Sequence, residues 1–124
     1  TILGTSELNY CVRNGNRWDL TVIGVISMMD AERAVPGWEL GVEIAPNARR
    51  NGYAQEALAA VVETDFAKTD TVLFTGGHYA YNTRSGELLK KLGFVYEGVE
   101  HLAMHHAVRG PTDLVCYYRA KEQE

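Results

Sequence analysis

Arg49 and Arg50 run directly into Asn51-Gly52-Tyr53-Ala54, where Gly52 and Ala54 offer little side-chain bulk. An alternating apolar stretch ends at Pro46 just before them, and a helical apolar period begins just after. A strand that turns through a short loop into a helix presents unpaired N–H groups and a partial positive charge at the first turn. Small residues there let the backbone come within hydrogen-bond distance of phosphate oxygens, and the two guanidinium groups add fixed charge at the mouth. The chemistry this pattern points to is the binding of a polyanion such as a diphosphate. A strand-to-helix turn in which glycine only relieves backbone strain uses the same residues, so Arg-x-x-Gly-x-Ala alone leaves both readings open.

Other reactive side chains carry weaker signals. Adjacent residues on a strand face opposite ways, so His105 and His106 do not converge on one ion. They and His78 are expected to be surface or loop histidines, and no metal site is expected. Cys11 and Cys116 lie in strand-like runs with no second cysteine nearby, which gives neither a metal knuckle nor a redox pair. The expectation for them is two small buried thiols in a reducing compartment.

The elements that would hold the Arg49 loop in place follow from periodicity. Residues 7–13 and 18–28 read as a hairpin around Asn14-Gly15-Asn16, since Asn-Gly supplies the positive φ angles of a tight turn. In residues 38–45, Trp38, Leu40, Val42 and Ile44 point one way while Glu39, Gly41, Glu43 and Ala45 point the other, and Pro46 ends the ladder. Ala54, Ala57, Leu58, Val61, Val62 and Phe66 then form one helical stripe over residues 52–68. Residues 71–74 read as a short buried strand. Asn82 or Thr83 caps a second helix whose Ser85, Leu88, Leu89 and Leu92 share a face, and Gly93 stops it. Residues 94–99 and 114–118 make the last two strands. The whole predicts one α+β domain over residues 1–124: a mixed, mostly antiparallel sheet with helices packed on it.

Composition narrows the function classes. With 124 residues, 46% of them hydrophobic, the chain can build a real core. Its 16 acidic and 12 basic side chains give a net charge of −4, which argues against nonspecific nucleic-acid binding. An anionic ligand must then be drawn by a local feature rather than by the overall field. No apolar run has the length of a membrane span and no signal-peptide pattern opens the chain, so the expected compartment is the cytoplasm.

A second block lies downstream: Asn82-Thr-Arg-Ser85-Gly-Glu-Leu88-Leu89-Lys90-Lys91-Leu92-Gly93-Phe94. Together with Glu39-Leu40-Gly41, Pro46 and the Arg49-x-x-Gly52-x-Ala54 junction, in that order and spacing, it makes the sequence resemble the GNAT superfamily of N-acetyltransferases. The branch it resembles acetylates the N-termini of ribosomal proteins and similar amines, and the likeness runs over residues 7–119. The fold so implied is the GNAT-like acyl-CoA N-acyltransferase fold, here short at its N-terminus, and the implied cosubstrate is acetyl-CoA.

The resemblance implies a V-shaped opening where the Glu39 strand parts from the Phe74 strand. Pantetheine would bond backbone groups near Val42 and Ile44, pyrophosphate would meet Arg49, Arg50, Asn51, Gly52, Tyr53 and Ala54, and Asn82 and Lys91 would add further cofactor contacts. A backbone N–H near Val42 is the expected donor to the tetrahedral oxyanion. Glu39 is the expected base and Glu43, on the same face, the second candidate; both also suit ordinary solvent-facing carboxylates. Ser85 is the expected proton donor to the leaving sulfur, because Leu89 stands where many family members carry a tyrosine. Ser85 alternatively only orients the cofactor. The base required is modest for an α-amine with a pKa of about 7.7–8.0, neutral in roughly one molecule in ten at pH 7; a lysine near about 10.4 demands far more. Tyr79, Tyr81 and Trp38 line the acceptor pocket or serve as core and rim aromatics.

The expected function is transfer of acetyl from acetyl-CoA to a primary amine, on a protein N-terminus or a small molecule. Its rival is a noncatalytic acyl-CoA binding or sensing module. Family members usually begin with a strand and two helices that wall the acceptor groove, which few residues before Glu7 leave room for. Truncation of a longer chain, a wall supplied by a second subunit, or an unusually open acceptor site would each account for this; an exposed sheet edge and uncovered apolar face add the expectation of a homodimer or larger oligomer.

Overall fold

The computed structural model describes residues 7–13 and 22–122. Strands β1 (Glu7–Arg13) and β2 (Val22–Asp30) pair antiparallel, and β3 (Gly37–Ile44) continues the ladder on the other side of β2. The expected Asn14-Gly15-Asn16 turn, and the start of the second strand at Trp18, fall outside the described residues. Pro46 opens a single 3-10 turn, Pro46–Ala48, that takes the chain out of the sheet. Helix α1 (Tyr53–Lys68) then crosses over to β4 (Leu73–Tyr79), which lies parallel to β3. Helix α2 (Thr83–Lys91) and the antiparallel hairpin of β5 (Val95–His106) and β6 (Gly110–Ala120) complete the chain. The sheet order is β1-β2-β3-β4-β6-β5, mixed and mostly antiparallel as the sequence predicts.

Both helices cover the same face. Leu58, Val62 and Phe66 of α1 are buried, and the Phe66 ring meets the fully buried Phe74 edge-on, with centroids 5.0 Å apart. Burying a side chain such as Phe74 removes apolar area worth about 2–3 kcal/mol. Ile26, Met28 and Leu40 extend this core across β2 and β3. The C-terminus of α2 closes as its glycine foretold: Gly93 takes φ 84°, its N–H donates to the Lys90 carbonyl, and the Phe94 N–H donates to Leu89. No helix among the described residues covers the reverse face, which carries Glu39, Glu43 and Thr75.

Several sequence expectations need correction. β4 runs from Leu73 to Tyr79 rather than over residues 71–74, and Gly76 and Gly77 are packing residues within it. A Cβ on Gly76 would stand 3.0 Å from Leu89 Cδ2, and one on Gly77 3.0 Å from Leu114 Cδ1. The final hairpin extends further toward its turn than expected, since pairing resumes at Met104 beyond an irregular stretch. There Leu102 takes φ 52°, and its N–H donates to Asp113 Oδ1 at 2.8 Å. His78 is buried on β4 instead of lying at the surface, and Cys11 is exposed on β1 instead of buried.

Candidate active site

β3 and β4 pair only from Gly37–Leu73 to Leu40–Gly76. Past that point β3 stays on β2 through Ile44, and β4 stays on β6 through Tyr79, so the two strands part. This wedge is the opening expected beside Val42 and Ile44. It feeds a cavity of about 740 Å³ lined by Val42, Glu43, Ile44, Arg49, Asn82, Arg84 and Ser85. Arg49 is steered here by its own backbone bond, Nε donating to the Ile44 carbonyl at 3.0 Å.

Beyond the cavity lies the turn into α1. Arg50 and Gly52 are both left-handed, with φ 66° and 77°. The Asn51 side chain fixes the turn by donating to the carbonyls of Ala48 at 3.0 Å and Arg49 at 3.2 Å. The first helical bond runs from Glu56 N–H to the Gly52 carbonyl, so Tyr53, Ala54 and Gln55 have N–H groups without helical partners. No side chain caps this end of α1, and none caps α2, where Asn82 is the N-cap residue. Gly52, Ala54, Gln55, Thr83, Arg84 and Lys91 share one groove of about 310 Å³, with Glu87 at its wall. Two uncapped N-termini therefore adjoin one groove with two cations, the arrangement that binds a polyanion. The Tyr53 side chain lines a separate cavity with Tyr10 and Ile26.

The Asn82 loop is held from the far side. Its N–H donates to the Tyr79 carbonyl at 2.9 Å. The Tyr79 and Tyr81 rings stack at 5.5 Å, and His106 sits edge-on to both. His106 is fixed in turn by accepting the Val108 and Arg109 N–H groups on Nδ1 at 3.1 and 3.0 Å. Tyr79 and Tyr81 thus tie the loop to the last hairpin.

Glu39 belongs to a different cavity, of about 520 Å³, on the reverse face of the wedge. Thr75, Gly76, Asp30, Glu32, Arg33, Glu97, Glu100 and Cys116 join it there. Arg33 grips Glu97 with two bonds, at 2.8 and 3.3 Å, and that hydrogen bonding holds the Glu97 carboxyl below the usual carboxylate range. Burial pushes the Cys116 thiol up, and the negative charges of Glu100, Glu97 and Glu39 add to the rise. No cavity contains both Glu39 and Ser85; the parting strands stand between them.

Sequence reasoning missed Arg84, Thr75 and the pair Glu97 and Glu100. Arg84 had a signal, standing inside the second block between Asn82 and Ser85. Thr75 was hidden by ending β4 too early, and Glu97 and Glu100 by bulges that shift the register of β5. A further cavity near Glu63, Arg119 and Lys121 is structural. Arg119 ties the Leu92 carbonyl to Glu63, and Lys121 caps α1 at the Phe66 carbonyl. Among the described residues no cluster of potential metal ligands occurs, and no helix is long and apolar enough to cross a membrane.

Comparison with known proteins places the chain in a family. The family model of the Acetyltransferase (GNAT) domain matches residues 4–95, and the chain belongs to that family. The chain is 31% identical over 130 residues to the uncharacterized N-acetyltransferase YoaA of Bacillus subtilis (strain 168), covering 100% of this chain and 73% of that protein. The fold matches ribosomal-protein-S5-alanine acetyltransferase from Vibrio fischeri with a TM-score of 0.75 at 18% identity, over 83% of this chain and 56% of that one. It also matches the microcin C7 self immunity acetyltransferase MccE, solved in complex with acetyl-CoA and AMP, with a TM-score of 0.80 at 17% identity over 93% of this chain and 61% of that one. The chain thus spans little more than half the length of the S5 acetyltransferase.

Proposed function

We propose that the protein transfers the acetyl group of acetyl-CoA to a primary amine by direct attack in a ternary complex. The observation that carries this reading is the pair of uncapped helix N-termini on one groove, next to a wedge between β3 and β4. The residues present fit acetyl-CoA. Gly52, Ala54, Thr83, Arg84 and Lys91 suit its phosphates, while Val42, Ile44 and Asn82 suit its pantetheine arm. Bound acetyl-CoA supplies the thioester; the chain supplies the rest. Glu39 takes the proton of the incoming ammonium, and a backbone N–H near Val42 faces the developing oxyanion. The amine nitrogen bonds the acetyl carbon as the carbon–sulfur bond breaks. The nitrogen sheds its extra proton to water, and the sulfur leaves as thiolate or receives a proton through the Ser85 hydroxyl, which regains one from water. Because a thiol has a pKa of about 8.5, that last help is small.

Free thiol released from acetyl-CoA in the presence of an amine panel tests the reading. A noncatalytic binder would show an acetyl-CoA thermal shift with no thiol released by any amine. ATP and NADH are expected to give no shift. Self-association is proposed as well, because β5 ends the sheet with Tyr96 and Leu102 exposed; a monomer in light scattering at micromolar concentration would contradict it.

A further inference from the structure

We propose that His106, at the tip of the last hairpin, is a positioning residue for the cosubstrate: it holds the Tyr79 and Tyr81 rings, and through them the N-terminus of α2, where acetyl-CoA is to bind. This rests on the acetyltransferase reading and adds to it a residue that acts on the cofactor groove through others.

The imidazole of His106 works on two sides at once. His106 pairs with Gly110 across the tip formed by residues 107–109, and Gly110 takes the left-handed φ of 75° that such a tight connection uses. Nδ1 accepts the Val108 N–H at 3.1 Å and the Arg109 N–H at 3.0 Å. Two donors converging on one ring nitrogen close the tip and also fix the orientation of the ring. That ring stands nearly perpendicular to Tyr79, at 83° with centroids 5.5 Å apart, and to Tyr81, at 88° and 5.7 Å. Perpendicular contacts of this kind are favoured because the positive edge of one ring meets the negative face of the other. Arg109 strengthens the same link, with its guanidinium carbon 3.8 Å from the centre of the Tyr81 ring.

The link reaches the site because of what the tyrosines flank. Past Gly76, β4 has left β3 and is paired only with β6 among the described strands. Tyr79 ends β4, its carbonyl accepts the Asn82 N–H at 2.9 Å, and Asn82 is the N-cap residue of α2. No side chain caps that helix, so nothing within it sets its entry. Tyr81 is 42% exposed, too open for core packing to hold it; Tyr79, His106 and Arg109 hold it instead. Asn82, Arg84 and Ser85 line the wedge cavity, and Thr83 and Arg84 line the groove shared with Gly52. A displaced tyrosine pair therefore moves the first turn of α2 away from the Gly52 turn. Hydrogen bonds to a phosphate weaken steeply with such a loss of alignment.

Amide hydrogen exchange on the free protein tests the link without a ligand, and calorimetry with coenzyme A tests its effect on the site. The proteins compared are the wild type, His106→Ala, His106→Asn and, as a control, His105→Ala, which alters the neighbouring exposed histidine. In His106→Ala, exchange at the Asn82 N–H should quicken by about fivefold or more and the Kd for coenzyme A should rise by a similar factor, the worth of one aromatic pair. In the thiol-release assay KM for acetyl-CoA should rise with it, while kcat stays within about twofold. Asparagine accepts a backbone N–H two residues on but brings no ring. His106→Asn should thus restore protection at Val108 and Arg109 yet leave Asn82 exchange and coenzyme A affinity as poor as in His106→Ala. His105→Ala should alter none of these. Unchanged Asn82 exchange in His106→Ala, equal coenzyme A affinity in that variant and the wild type, rescue of the affinity by His106→Asn, or a uniform rise of exchange across the sheet would overturn the inference and leave the transferase reading standing. If coenzyme A binds but no amine releases thiol, the transferase reading fails alone and the affinity comparison still decides here. A wild-type protein that binds no coenzyme A removes both.

Discussion

Gly86, the residue after Ser85 in α2, allows the packing of this site to be tested by one methyl group. A Cβ at Gly86 would stand 2.8 Å from His78 Nε2 and 3.0 Å from the Tyr117 hydroxyl. Neither group retreats easily. His78 is 8% and Tyr117 5% exposed, and His78 Nδ1 lies 2.6 Å from the Tyr79 carbonyl. A carbonyl only accepts, so Nδ1 donates there, and Nε2, which has no partner among the described residues, faces the glycine. On helix propensity alone Gly86→Ala would gain about 1 kcal/mol. Overpacking a filled site costs about 1–3 kcal/mol. The expected net effect is a loss of about 0–2 kcal/mol, with the first turn of α2 displaced and the Ser85-dependent reaction slowed. His78→Ala alone leaves a buried void and costs about 2 kcal/mol or more. In the double variant the new methyl enters that void, so the two changes should couple favourably by about 1–2 kcal/mol. Denaturant unfolding of the four proteins measures this. Additivity within about 0.5 kcal/mol, or a Gly86→Ala protein stabilised by the full propensity gain of about 1 kcal/mol, would refute the packing argument.

Other outcomes follow from the same structure. Gly52→Glu should abolish the thermal shift given by acetyl-CoA yet still fold, because a Cβ there meets nothing within 4 Å and only the left-handed φ of 77° resists it, at about 1–2 kcal/mol; an unchanged shift would remove the phosphate site. Arg33→Ala should change stability by less than about 1 kcal/mol, since its ion pair with Glu97 is 42% and 34% exposed, and denaturant midpoints will show it. Asp113 is held below the usual carboxylate range, first by the Leu102 N–H and then by His101. Its contribution is complete above the unfolded value of about 3.9 and is lost as pH falls through the lower folded value, so Asp113→Asn should flatten acid unfolding in that range.

The turn proposed to hold the phosphates was legible as a strand-to-helix junction because it is local. The turn from β3 into α1 draws on Pro46, Gly52 and Ala54, neighbours in sequence whose backbone roles need no distant partner. The same holds for α2, whose Gly93 closure and buried Leu89 follow from one helical period. The cavity around Glu39 was not legible, because it forms only when β3, β4, β5 and the loop after β2 meet. Glu97 and Glu100 reach Glu39 through two irregularities in the β5–β6 register, and such shifts leave no clear mark in alternation. The role of Gly76 and Gly77 is equally nonlocal: what they relieve is the approach of Leu89 and Leu114, residues far along the chain.

A crystal of the protein grown with coenzyme A tests the central claim most directly. The diphosphate should lie within hydrogen-bond distance of the N–H groups from Gly52 to Gln55, with the pantetheine arm between Val42 and Gly77. Coenzyme A bound elsewhere, or an opening closed by β3 and β4 pairing beyond Leu40, would contradict it.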